Sequence, residues 1–109
     1  MGGDGKLVRD RIPDIIRARG QLPVIRTAGT GEYRALLREK LTEETGEFLA
    51  SADDPQELAD VLEVVRALAA DLGVSPGALE QVRVANAAER GGFAERLVWC
   101  GNRDLEQGQ

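Results

Sequence analysis

The 109-residue chain has no histidine, one cysteine and only four aromatic side chains, Tyr33, Phe48, Phe93 and Trp99. Without imidazole, the usual serine and cysteine triads, histidine acid–base chemistry and histidine-bound zinc are all excluded. A lone Cys100 has no internal disulfide partner and no second thiolate for a zinc site, and it points to the cytoplasm. With so few aromatics, any core must be built from Leu, Val, Ile and Ala. No run of 18 apolar residues is present, and the N-terminus lacks a signal-peptide plan, so no membrane association is expected. A net charge of −5 argues against nucleic acid or an anionic membrane as partner. Catalysis in such a chain falls to carboxylates, Lys and Arg, working with a hard metal held through oxygen.

The charge that is present is segregated. Residues 6–26 carry Lys6, Arg9, Arg11, Arg17, Arg19 and Arg26 against Asp10 and Asp14. Residues 39–63 carry Glu39, Glu43, Glu44, Glu47, Asp53, Asp54, Glu57, Asp60 and Glu63 against Lys40 alone. A basic segment beside an acidic one suits a metal–phosphate ligand, and it also suits plain attraction within the chain.

The pattern predicts an all-α protein: one domain over residues 6–100, with flexible ends at 1–5 and 101–109. A short helix is expected over 10–20, closed by Gly20, followed by an extended stretch at 22–27. A long helix is expected over about 32–51, with Thr30 as its cap. Asp54, Pro55 and Glu57 form the start signal of a second helix that reaches about Leu72, where the reciprocal capping box would pair Asp54 with Glu57. Ser75-Pro76 opens a third helix to Arg90. Residues 93–100 predict a short strand or docked tail, and a chain this short is expected to complete its bundle as a homodimer or homotetramer.

On the helical wheel four acids fall where leucines belong. Taking Leu36 as zero, Tyr33, Leu37, Leu41 and Phe48 define an apolar arc of roughly 0° to 140°. Glu44 lies near 80° and Glu47 near 20°, with Lys40 between them at about 40°. In the next helix Glu57 lies inside the apolar arc and Asp60 just outside its edge, whereas Glu63 is on the wet side. A short connection makes the two helices antiparallel, so the four acids converge on one seam. Such crowding costs several kcal/mol per uncompensated charge, and a divalent cation relieves it. Each acid also has a plain reading: Glu57 as part of a capping box, Glu44 and Glu47 as solvated surface, Lys40 as an i, i+4 partner of Glu44. In the last helix Leu79, Val82, Arg83, Asn86 and Arg90 share a face, offering two guanidiniums and an amide to phosphate or base, or else to local ion pairs with Glu80 and Glu89.

At these residues the chain resembles a known family. LTEETGEF at 41–48 followed by ELADVLE at 57–63 matches the E-x-x-E … E-x-x-D signature of MazG-like all-α nucleoside triphosphate pyrophosphohydrolases. KLVRDRIP at 6–13 and ERGGF at 89–93 resemble a small branch labelled phosphoribosyl-ATP pyrophosphohydrolase-like, and the likeness extends over about residues 6–98. The resemblance implies a MazG-like helical bundle in which Glu44, Glu47, Glu57 and Asp60 coordinate Mg²⁺, with Mn²⁺ as a substitute. It implies nucleotide contacts from Asn86 and Arg90, and a matching lysine at Lys40. The implied reaction is hydrolysis of a nucleoside triphosphate to monophosphate and pyrophosphate, as in clearing a nucleotide pool, with Glu44 or Glu47 orienting the water. Lys6, Arg9, Arg11 or Arg90 would stabilise the leaving group. The short interval between the acidic pairs leaves little of the loop that shapes the base pocket in larger relatives, so no base is assigned. Two alternatives stand beside this reading: phosphoribosyl-ATP as substrate, and a non-catalytic helical module whose acids bind metal structurally.

Overall fold

A computed structural model describes residues 5–105, and the expected flexible ends at 1–4 and 106–109 lie outside the described residues. The described chain is helical, with α1 at Ile12–Ala18, α2 at Thr30–Ala50, α3 at Pro55–Asp71 and α4 at Pro76–Arg90. No strand occurs among the described residues, which corrects the short strand allowed at 93–100. The apolar side chains there, Phe93, Leu97, Val98 and Trp99, are exposed and not docked. The chain divides into two compact units, Met1–Pro76 and Gly77–Gln109.

In the first unit α2 and α3 form an antiparallel hairpin. Arg34, near the start of α2, reaches Asp71 at the end of α3, with Nε 2.6 Å from Oδ2 and Nη2 3.2 Å from the backbone carbonyl. The turn is built by three polar residues. The Ser51 hydroxyl donates to the Phe48 carbonyl at 2.7 Å and accepts from the Asp54 N–H at 3.2 Å. Asp53 takes a left-handed backbone (φ 60°), a conformation Asp tolerates better than most residues. Asp54 caps α3 by accepting the Gln56 N–H at 2.9 Å, and Pro55 follows where a missing N–H costs nothing.

Two details differ from expectation. Gly29, not Thr30, is the N-cap of α2, with no side-chain cap, because Thr30 is already in the helix. The capping box is not made: the Asp54 side chain takes the Gln56 N–H in place of the Glu57 N–H, and the Asp54 N–H is taken by Ser51, so Glu57 is not needed to satisfy it. Helix α3 ends in a Schellman motif around left-handed Gly73, with Val74 N–H bonded to Ala69 O at 2.8 Å and Gly73 N–H to Ala70 O at 3.0 Å. Gly20 closes α1 the same way.

The hairpin seam holds the core. Leu37 is 3% exposed, Val64 and Ala69 are also buried, and Glu44, at 9% exposed, is nearly as deep as these apolar residues. The second unit contains α4 and residues 91–105, with left-handed Gly91 directly after the helix. No residue of α4 is buried.

Candidate metal centre

Glu44 sits at the middle of the buried arc of α2, flanked by Leu37, Lys40, Leu41 and Phe48, all at least half-buried. Its place on the wheel dictates this, since Lys40, Leu41 and Phe48, three or four positions away, share its face. Across the seam α3 presents Glu57 and Asp60, both half-buried, one turn apart. One carboxylate oxygen from each of Glu44, Glu57 and Asp60 lies within 4.8 Å of the other two. A second group, Glu43, Glu44 and Glu47, satisfies the same distance and shares Glu44. Thus the four acids singled out on the wheel converge as overlapping triads. Glu47 corrects one expectation, for it is exposed at the rim of the seam and not buried in it.

Glu43 was missed by the sequence reading. It accepts a hydrogen bond from Lys40 Nζ at 3.0 Å and pairs with Lys6 Nζ at 3.4 Å. The signal was present: Glu43 lies three residues after Lys40 and, at about −20°, on the edge of the apolar arc. Lys40 also pairs with Glu44 at 3.6 Å, the i, i+4 contact expected of it. Arg9 Nη2 binds Asp60 Oδ1 at 2.8 Å. Lys6 and Arg9 therefore tie the N-terminal segment to both helices, as simple attraction within the chain requires. Arg11 is exposed and makes no side-chain ion pair among the described residues.

The charges leave a signature. Burial raises the Glu57 carboxyl above its ordinary range, and Asp60, Glu47, Asp54 and Glu44 push it the same way. Glu57 has no ion-pair partner among the described residues. Burial, the largest single influence on Lys40, pulls its ammonium down, but Glu43 and Glu44 outweigh this and hold it raised. Glu43 is lowered, chiefly by its hydrogen bond from Lys40 and further by Lys6.

Whether these donors fit a divalent cation is a matter of reach. Oxygens around Mg²⁺ stand about 3.0 Å apart when adjacent and about 4.2 Å when opposite, so three oxygens within 4.8 Å of one another reach one ion with side-chain shifts of under about an ångström. All donors are hard oxygens, three come from two facing helices, and Glu57 lacks a compensating charge. The set fits a divalent cation of the Mg²⁺ or Mn²⁺ type.

A stretch of 46 residues is 56% identical to an uncharacterised protein of Mycolicibacterium smegmatis (strain ATCC 700084 / mc(2)155), spanning 42% of this chain and 47% of that protein. The match thus takes in just under half of the relative's length. No family model and no solved structure matches the chain.

The other predicted contacts fall elsewhere. Asn86 and Arg90 belong to α4, in the second compact unit, and both are exposed. Arg90 lies 3.9 Å from Glu89, and Arg83 is held by Glu80 through two hydrogen bonds of 3.0 and 2.7 Å, the local ion pairing anticipated for it. An open groove of about 550 Å³ borders Glu44 and Asp60, and Lys6, Arg9, Lys40 and Tyr33 also line it. No helix of the described residues is long and apolar enough to cross a membrane.

Proposed function

We propose that the protein is a Mg²⁺-dependent nucleotide pyrophosphohydrolase of the MazG-like kind, cleaving a nucleoside triphosphate or related nucleotide to monophosphate and pyrophosphate. The observation that carries this reading is Glu44, a carboxylate buried to 9% exposure with oxygens of Glu57 and Asp60 within 4.8 Å. Solubility gives no reason to put a carboxylate there, and a hairpin stabilised by packing alone would place leucine at that position.

Glu44, Glu57 and Asp60 would hold the cation, which when bound supplies positive charge against phosphate oxygens and acidifies the attacking water. Glu47, exposed and with an oxygen within 4.8 Å of one of Glu44, would orient that water as general base. Lys40 holds Glu43 and Glu44 in position through its two ion pairs. Lys6 and Arg9 line the adjoining groove and present cations where a polyphosphate would lie. Arg11, Asn86 and Arg90 remain candidates for contact with the rest of the nucleotide.

The same reading takes the protein as a homodimer or homotetramer. Leu58 and Leu62, each 52% exposed, continue through Val65 to Leu72 at the 4-3-7 spacing of a helix seam. Sedimentation of the purified chain as a monomer would remove this part.

Pyrophosphate release is the direct test, run on canonical, deoxy and modified nucleoside triphosphates and on phosphoribosyl-ATP, with Mg²⁺, Mn²⁺ or chelator. Metal-dependent release that Glu47→Ala lowers by about a hundredfold or more is expected. Unchanged release by Glu47→Ala would sink its role as base. Silence throughout, with Mg²⁺ still raising the melting temperature, would favour the non-catalytic module.

A further inference from the structure

We infer that Arg9 and a divalent cation compete for Asp60, so that metal binding exchanges Arg9 off that carboxylate and releases it toward the anionic ligand. The inference rests on the acidic seam holding a cation, and adds what that cation must displace.

Among the described residues, Asp60 is the only member of the Glu44–Glu57–Asp60 triad bound by a cation from outside α2 and α3: Arg9 Nη2 lies 2.8 Å from its Oδ1. A metal coordinated by Asp60 Oδ1 at about 2.1 Å would stand within about 5 Å of that guanidinium, so the two positive charges would compete for one oxygen. Repulsion at that distance favours separation, and little holds Arg9 in place. Its side chain is 58% exposed, and Asp60 is more than a third exposed, so water replaces the pair readily. The Arg34–Asp71 pair differs in both respects, since Asp71 is only 10% exposed and Arg34 also binds a backbone carbonyl.

Among the described residues the segment that carries Arg9 has one other ion pair with this seam, Lys6 to Glu43 at 3.4 Å, and Glu43 is not in the Asp60 triad. Exchange at Asp60 thus frees Arg9 while Lys6 still anchors residues 5–11. A freed Arg9 remains on the groove of about 550 Å³ that also contains Lys40 and Lys6, where a phosphate group would meet its guanidinium. The order that follows is metal first, then anion.

The test is Mn²⁺ binding without nucleotide, read by electron paramagnetic resonance of the free ion, in wild type, Arg9→Gln and Arg19→Gln. Arg19→Gln removes the same charge from the same basic segment, at a residue with no ion pair among those described. Arg9→Gln is expected to tighten Mn²⁺ by about two- to fivefold, the worth of an exposed ion pair, with Arg19→Gln near wild type. Equal tightening in both variants would mean bulk charge alone, and unchanged or weaker binding in Arg9→Gln would mean that Arg9 does not compete; either overturns the exchange while leaving the metal centre intact. Absence of Mn²⁺ binding in all three proteins would overturn the metal centre and the exchange together.

Discussion

At the open end of the α2–α3 hairpin one base meets one acid, Arg34 with Asp71, at 2.6 Å. At the turn end Glu43, Glu44, Glu47, Glu57 and Asp60 gather around Lys6, Lys40 and Arg9, and two of the acids, Glu47 and Glu57, have no ion-pair partner among the described residues. Both ends belong to one seam, with Leu37 and Val64 buried within it. The balanced end does what ion pairs do in a fold: it fixes the register of the helices. The unbalanced end contributes strain, and a seam that needed only stability would not retain it. Excess charge of one sign within a packed interface is therefore the feature on which the proposed metal centre rests.

The sharpest way to break this contrast is Glu44→Gln, because Glu44 belongs to both acid groups. Mn²⁺ affinity is expected to fall more than about a hundredfold, since even supporting residues around a metal cost 10- to 100-fold. Titration by calorimetry measures it, and a loss under tenfold would mean that Glu44 is not the shared ligand. A smaller effect is expected at the other end. Arg34→Ala should lower stability by about 1 kcal/mol in urea unfolding, with Mn²⁺ affinity unchanged. If metal binding weakened as well, the two ends would not be independent.

The smallest effect concerns pH. Glu57 is raised by burial and by the surrounding acids, so the metal-free fold binds its proton more tightly than the unfolded chain does. Its contribution to stability is full below the ordinary carboxylate pKa and lost as pH rises through the raised value. Glu43, lowered by Lys40, runs the other way: its contribution is present above the ordinary value and lost as pH falls through the lowered one. Glu57→Gln is therefore expected to raise the metal-free melting temperature slightly at neutral pH and not below about pH 4. Saturating Mg²⁺ should stabilise the wild type more than the variant. A melting temperature that falls at neutral pH on this substitution would mean that Glu57 is compensated after all.

Much of the helical layout was legible because its signals are local. Asp54-Pro55 and Ser75-Pro76 mark helix starts, and Gly20, Gly73 and Gly91 mark ends, each with a left-handed backbone that glycine adopts without strain. The α2 cap was harder, because Thr30 and Gly29 are both acceptable there and only the course of the incoming chain selects between them. Convergence of Glu44, Glu57 and Asp60 was also legible, from 100° steps and a short turn. The wheel failed for Glu47 and Glu43. It gives direction around one helix but not how deep the neighbouring helix lies at that level, so it exchanged the exposed acid for a half-buried one.

By itself the sequence determined an all-helical chain, the antiparallel pairing of its two longest helices and the presence of acids on their apolar faces, since periodicity and capping act within a few residues. Tertiary structure decided which cation rests on which acid: Lys6 and Lys40 on Glu43, Lys40 on Glu44, Arg9 on Asp60 and none on Glu57. Those choices join residues up to 51 positions apart, and their strength depends on distance and water access, which no local pattern encodes.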